Sequence, residues 1–250
     1  MNDERFSETL IERLKSGRVL VLTGAGVSAE SGLSTFRSAD GLWEGYDPTV
    51  VATPEAFARD REMVWRFYAE RRKNAAAAAP NPGHHALAAL ERARGEEFML
   101  ATQNVDGLHE RAGNQRMVRL HGSLWQLRCT ACGDEREDLD LDHPLLPRCK
   151  RCDGVLRPGV VWFGEGLPAD ATRRATEAAK SADVCLVAGT SSMVYPAAGL
   201  PDVARAAGAW TVEINPERTA LSHRADERLQ AASGKILPEL IEALGFDDLT

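Results

Sequence analysis

The sequence has no apolar run long enough to cross a membrane. Residues 1–18 are polar and charged, without the apolar core of a secretion signal and without a twin arginine. Surplus positive charge is missing as well. Thirty Lys and Arg stand against 37 Asp and Glu, a formal net charge of −7. That balance argues against broad binding to nucleic acid or to membrane surfaces, while leaving room for a local basic groove. Internal repeats are absent. Cysteine is scarce and unevenly placed: four of the five fall in one short stretch. Without an export signal, such clustering favours metal ligation over disulfides. The fifth, Cys185, sits in the apolar run 184–187 and reads as a small buried hydrophobe. The expectation is a cytoplasmic monomer with no membrane partner and no specific nucleic-acid partner.

What is present is an ordinary globular composition. Of 250 residues, 44% are hydrophobic and 27% charged, enough for one large domain or one domain carrying an inserted module. Phe6, Leu10, Ile11 and Leu14 recur at helical spacing, and Gly17 can end that helix. A short buried strand over 18–22 runs into Thr23-Gly-Ala-Gly26. Further strands are predicted over 97–102, 117–120, 183–188 and 210–214, and helices over 82–94, 169–182, 201–207 and 238–244. Strands alternating with helices predict an α/β fold, a Rossmann-like parallel sheet covered on both faces. The strand ends carry Thr23-Gly, Gln103-Asn, His121-Gly, Gly189-Thr and Asn215-Pro. Ligands of open α/β sheets bind beyond the carboxyl ends of the strands, so five loops should converge on one crevice.

Two stretches break the alternation. Residues 41–80 read as a helical module ending in the alanine run 75–79, which can also simply extend the preceding helix. Residues 125–164 hold the cysteines. Both are expected to form a smaller inserted lobe, leaving 1–40, 81–124 and 165–250 to the Rossmann-like domain. Within the second stretch, Cys129-x-x-Cys132 and Cys149-x-x-Cys152 are sixteen residues apart. Two such knuckles can place four thiolates around one Zn²⁺, a tetrahedral site with no open position and hence a structural one. The bland alternative is a free-thiol or redox cluster. A ribbon of this kind also occurs in nucleic-acid-binding proteins, so it does not fix function.

Gly24-Ala-Gly-Val-Ser-Ala29 satisfies the dinucleotide pattern G-x-G-x-x-A after a strand. A dehydrogenase would follow it with a helix and a second strand ending in an acid near residue 45. Here it leads into a polar, glycine-broken segment, so the loop suits NAD but the hydride-transfer layout is missing. The whole stretch from Gly24 to Arg37, followed by Gly41-Leu-Trp43, resembles the cofactor loop of sirtuins. Thr102-Gln-Asn-Val-Asp-Gly-Leu-His109, Leu120-His-Gly-Ser123, the four cysteines, Pro158-Gly-Val-Val-Trp-Phe-Gly-Glu165, Gly189-Thr-Ser-Ser192 and Glu213-Ile-Asn-Pro-Glu217 continue the likeness in the family's order over almost the whole chain.

The resemblance implies an NAD-consuming protein-lysine deacylase. Sirtuins break the nicotinamide–ribose bond, use the acyl oxygen of an acyl-lysine as nucleophile, and give O-acyl-ADP-ribose, free lysine and nicotinamide. His121 matches the catalytic position, where a base for a ribose hydroxyl is needed; a lone histidine would otherwise read as a hydrogen-bonded structural residue. Cofactor contacts are implied for Gly24, Ala25, Gly26, Ser28, Ala29, Glu30, Thr35, Phe36, Arg37 and Trp43 of the first loop. Gln103, Asn104, Val105 and Asp106 match the nicotinamide pocket; capping of their own loop is the alternative for Asn104 and Asp106. Gly189, Thr190, Ser191, Asn215, Pro216 and Glu217 match the ribose and adenosine positions, and Ser233 lies where the family approaches adenine. The likeness also implies that an acyl-lysine peptide adds as a strand to Val160, Val161, Trp162, Phe163 and Gly164, a segment that can equally be a plain core strand.

Tyr68-x-x-Arg71 puts a hydroxyl and a guanidinium on one helix face, fit to bind a carboxylate. The pattern is similar to the sirtuin subgroup that removes succinyl and malonyl groups. In that subgroup a small residue, here Ala52, precedes a Thr-Pro pair and leaves room for a longer acyl chain. A core tyrosine beside a solvated arginine is the alternative, and Arg72 at i+4 could replace Arg71. Three other activities stay open here: mono-ADP-ribosyl transfer within the family, an NAD-using dehydrogenase, and a non-enzymatic zinc-ribbon module for nucleic acid.

Overall fold

The computed structural model describes residues 5–35 and 47–246. Three implied cofactor residues, Phe36, Arg37 and Trp43, lie outside them. The first helix, α1 (Glu8–Ser16), starts where the Ser7 hydroxyl accepts the Leu10 N–H and stops at Gly17, as the spacing predicts. Then come β1 (Val19–Thr23), α2 (Gly26–Ala29), α3 (Pro48–Val51), α4 (Pro54–Arg59), α5 (Arg61–Ala77), α6 (Pro82–Arg94), β2 (Phe98–Thr102), α7 (Leu108–Ala112) and β3 (Met117–Arg119). Three strands follow, β4 (Gly122–Cys129), β5 (Glu135–Glu137) and β6 (Leu156–Val160). The chain closes with α8 (Ala169–Ser181), β7 (Val184–Ala188), α9 (Leu200–Ala206), β8 (Trp210–Ile214), β9 (Glu227–Leu229) and α10 (Ser233–Leu244).

Six of the strands form one parallel sheet in the order β3-β2-β1-β7-β8-β9. The order reverses direction between β1 and β7, which is the switch point where such sheets bind ligands. All five residues of β1 are buried, because both faces are covered. Val19 and Val21 enter a core with Leu14 of α1, Leu87 and Leu90 of α6 and Leu240 of α10. Leu20 and Leu22 point the other way, to Ala175 and Ala179 of α8 and Leu200 of α9. The predicted Rossmann-like architecture with a smaller cysteine-bearing lobe is the architecture found.

In the smaller lobe, α3–α5 pack on an antiparallel sheet of order β5-β4-β6. Its core joins Val64, Trp65, Phe67 and Tyr68 of α5 to Leu124, Leu127, Leu156 and Trp162. The alanine run extends α5 as far as Ala77. Arg72, fully buried, fastens α5 to the cysteine lobe: it donates to the carbonyls of Leu124, Asp138 and Asp140 and to Asp138 Oδ1.

Two predicted boundaries move. The last helix begins at Ser233 rather than at Pro238, which lies inside it. Pro238 forfeits one backbone bond, but Ile236, Leu237, Leu240 and Leu244 bury an apolar stripe that holds the helix on both sides of it. The strand predicted over 160–164 ends at Val160. Beyond it, Glu165 N–H donates to the Trp162 carbonyl, the Glu165 carboxylate accepts the Trp162 N–H, and Gly164 turns at φ +86. Among the described residues no helix is long and apolar enough to cross a membrane.

Candidate functional site

The carboxyl ends of β1, β2, β7 and β8 are in register: Thr23 pairs with Thr102 and with Ala188, and Ala188 with Ile214. The next residues along the chain therefore meet in one place. Gly26 N–H donates to the Gly189 carbonyl at 2.8 Å, Gln103 N–H to Thr23 O at 2.9 Å, and Gln103 Nε2 to Thr190 Oγ1 at 3.0 Å. Asn215 Nδ2 reaches the Thr190 carbonyl at 3.1 Å, and the Glu217 N–H returns to Asn215 Oδ1. A Cβ on Gly26 would lie 2.7 Å from Gly189 O, so the glycine pattern lets two loops interlock at the switch point. Four of the five predicted loop clusters thus assemble here, with Gln103 and Asn104 directly after the end of β2 at Thr102.

Beneath this rim lies a buried polar group. Ser28 Oγ donates to Asp106 Oδ2 at 2.8 Å and accepts from Asn104 Nδ2 at 3.1 Å. Asp106 also accepts the Leu108 N–H, and burial pushes its carboxyl pKa above the usual range. His84 Nδ1 accepts the Asn81 N–H, so its proton is on Nε2, 3.5 Å from Ser28 Oγ. His84 escaped the sequence reading because it is 56 residues from Ser28 and carries no motif of its own. Glu30, implied as a cofactor contact, spends its carboxylate on the Gly234 N–H at the start of α10, 2.6 Å away. Ala25 caps the start of α2 and Ala29 is its last residue, Val105 O accepts the Leu124 N–H, and Pro216 lies between Asn215 and Glu217 on the β8 loop.

His121 follows β3. Its Nδ1 lies 3.2 Å from the Gln103 carbonyl, and its own carbonyl accepts the Val161 N–H at 2.8 Å. Burial lowers the ring pKa below 6.5, against the Gln103 bond. Gly122, at φ +75, lets β4 leave immediately beside Gly159, so His121 sits where the two lobes join.

Two hydroxyls near the crevice are buried without a partner among the described residues, Ser192 Oγ and Ser233 Oγ. Buried hydroxyls are normally bonded, so these suit a polar ligand such as the ribose and adenine portions of NAD. Ser192, 3% exposed and at φ +55, entered the sequence motif but was not singled out as a cofactor contact; its neighbour Ser191 was. The backbone turn that buries it has no sequence signal.

In the smaller lobe the Sγ atoms of Cys129, Cys132, Cys149 and Cys152 all lie within 4.8 Å of one another, with Cys129 and Cys152 at 3.5 Å and Cys132 and Cys149 at 3.9 Å. A tetrahedral Zn²⁺ with four thiolates at about 2.3 Å needs sulfurs about 3.8 Å apart. Backbone N–H groups of Ala131, Cys132 and Arg151 turn toward Cys129 and Cys149 sulfurs, as they would toward thiolates. The four residues fit the ion.

The segment 160–164 borders His121 and the smaller lobe, but its groups are partly engaged. Val161 N–H goes to His121 O, Trp162 N–H to Glu165 and Phe163 N–H to Ala52 O. The Trp162 indole faces inward, against Phe57 and Tyr68 at 5.2 and 6.3 Å between ring centroids. Tyr68 is 1% exposed and its hydroxyl accepts the Trp162 indole N–H at 2.9 Å. Arg71 lies with its guanidinium carbon 5.9 Å from the Tyr68 ring centre. Arg72, the candidate substitute for Arg71, is consumed by its bonds to 124, 138 and 140 and is removed as an acyl ligand.

A family model described as the Sir2 family matches residues 24–196. An NAD-dependent protein deacylase 2 of Pyrobaculum aerophilum is 52% identical over 230 residues, 91% of each chain. A crystal structure of a Sir2 homologue–NAD complex superposes with TM-score 0.90 at 46% identity, over 98% of this chain and 96% of that one. A Sir2–p53 peptide–NAD⁺ complex superposes with TM-score 0.84 at 31% identity, over 95% and 98%. With the ordered motifs meeting at one switch point and the likeness running through both lobes, the chain belongs to the Sir2 family.

Proposed function

We propose that this chain is an NAD-dependent protein-lysine deacylase that accepts succinyl- and malonyl-lysine as well as acetyl-lysine. The coarser part, NAD-dependent deacylation with release of nicotinamide and O-acyl-ADP-ribose, rests on membership of the Sir2 family and on relatives described as NAD-dependent protein deacylases. Bound NAD would supply the ribose carbon that bonds the acyl oxygen. The chain's own part is to seat the nicotinamide amide against Asn104 and Asp106 and to take a proton at His121 Nε2. One structural Zn²⁺ on Cys129, Cys132, Cys149 and Cys152 holds the smaller lobe.

The acyl preference is carried by one observation. Tyr68 is buried, burial pushes its pKa up to about 12, and its hydroxyl therefore stays a donor. That oxygen accepts from Trp162, and among the described residues its own proton meets no acceptor. A carboxylate at the end of an acyl chain supplies one, with the Arg71 charge beside it. Ala52, small and buried, is tied through its carbonyl to Phe163 and adds no bulk on that side. The peptide itself is proposed to run along 160–164, the mode suggested by the relative that holds a p53 peptide.

Mass spectrometry of matched acetyl-, succinyl- and malonyl-lysine peptides, with and without NAD, tests this. The expected result is NAD-dependent loss of all three acyl groups. Turnover of acetyl-lysine alone would remove the acidic-acyl reading. A peptide gaining ADP-ribose would favour mono-ADP-ribosyl transfer, and no NAD-dependent change in any peptide would favour a binding module.

A further inference from the structure

Beside Tyr68, the buried side chains of Arg157 and Trp162 are closed in by the half-buried Glu165. Arg157, on β6, lies with its guanidinium 3.4 Å over the centre of the Trp162 ring. Its fork engages Glu165 twice, NH1 to Oε1 at 2.6 Å and NH2 to Oε2 at 2.9 Å, and NH2 also donates to the Val160 carbonyl. Glu165 Oε2 accepts the Trp162 backbone N–H at 2.8 Å. Trp162 is thus held at its backbone by Glu165 and at its ring face by Arg157. Its single side-chain donor goes to Tyr68.

Arg157 is 8% exposed and Trp162 3%, so neither side chain is placed to meet a peptide directly. Their effect must pass through a neighbour. A phenol proton lies near the ring plane and has two settings. With the indole N–H occupying one side of the oxygen, the proton is turned to the other. We infer that Trp162, fixed by Arg157 and Glu165, is a positioning residue that aims the Tyr68 hydroxyl proton and so tunes selectivity for acidic acyl chains. The turn 161–165 that carries Trp162 also carries the proposed peptide-pairing edge, so the substrate strand and the acyl donor are set by the same few residues. This inference rests on the reading that Tyr68 meets the acyl carboxylate.

The test is a double-mutant cycle on the ratio of kcat/KM for succinyl-lysine to that for acetyl-lysine. Trp162→Phe keeps an aromatic face under Arg157 and removes only the indole ring edge and its N–H. Losing one such bond should lower the ratio about tenfold. In the Tyr68→Phe background the same change should lower it no further, because the group it acts through is gone. Glu165→Gln, which weakens the Arg157 clamp while keeping its shape, should lower the ratio in the same direction by a smaller factor and serves if Trp162→Phe folds poorly. Equal loss on both acyl groups in either variant, or full additivity in the double variant, overturns the inference. If Tyr68→Phe lowers the ratio but Trp162→Phe and Glu165→Gln leave it unchanged, the inference falls and the acyl reading survives. If Tyr68→Phe leaves the ratio unchanged, both fall.

Discussion

His121 presents Nδ1 to the Gln103 carbonyl at 3.2 Å, and a carbonyl can only accept, so Nδ1 carries the proton and Nε2 the basic lone pair. His121→Ala should therefore leave the fold and NAD binding largely intact and lower acyl transfer by about 10²–10⁴-fold, the usual loss for a general base. Turnover within a few-fold of wild type on a substrate where chemistry limits the rate would take His121 out of the mechanism.

The pH profile follows from the same ring. Burial lowers the His121 pKa below 6.5, so the base stays unprotonated to lower pH than a free imidazole. The acid limb of kcat/KM should have its midpoint below 6.5. A midpoint well above that value would mean that another group, or a charged neighbour, governs the step.

Tyr68→Phe and Arg71→Met should each lower kcat/KM for succinyl-lysine by roughly ten- to a hundredfold, the worth of a charge-assisted hydrogen bond. Acetyl-lysine turnover should fall much less, since that group brings no charge to be met. Parallel loss on both substrates would make the pair part of the lobe's packing.

Metal analysis should give about one Zn²⁺ per chain, and chelation should loosen the smaller lobe without removing any reacting group. Active, metal-free protein with all four thiols titratable would end the zinc assignment. Arg72→Met should destabilise the same lobe by about 1–3 kcal/mol, because the carbonyls of Leu124, Asp138 and Asp140 lose their buried donor while the Asp138 carboxylate keeps His143 and Arg136 beside it. A melting temperature unchanged in that variant would show the bond set to be dispensable.

Burial lowers the pKa of His84 to about 4 and of His109 to about 3, from 6.5. The unfolded chain binds both protons as pH falls below 6.5, while the folded chain excludes them until pH is much lower. Their contribution is complete above 6.5 and is lost as pH falls toward 4 and then 3, each with a slope of about 1.4 kcal/mol per pH unit. Urea unfolding across that range should steepen accordingly, and His109→Gln should remove one proton from the slope. An unchanged slope in that variant would place the acid sensitivity elsewhere.

The sequence by itself determined the elements whose signal is local. Four cysteines in two knuckles announce a tetrahedral site because ligand spacing is short-range. The residues of β1 and β7 announce a doubly covered strand because all of them are apolar or small. The ordered motifs carried the family. Tertiary structure decided what depends on distant partners. Pro238 sits inside α10 because the stripe packed against α6 outweighs one missing bond. Arg72 rather than Arg71 is spent on the cysteine lobe because a single helical step turns one side chain to the carbonyls of 124, 138 and 140. Ser192 is buried by a left-handed turn, and Trp162 faces Tyr68 because β6 ends at Val160 where Glu165 folds back. Each of these outcomes is set by hydrogen bonds or packing between residues far apart in the chain, which no local pattern encodes.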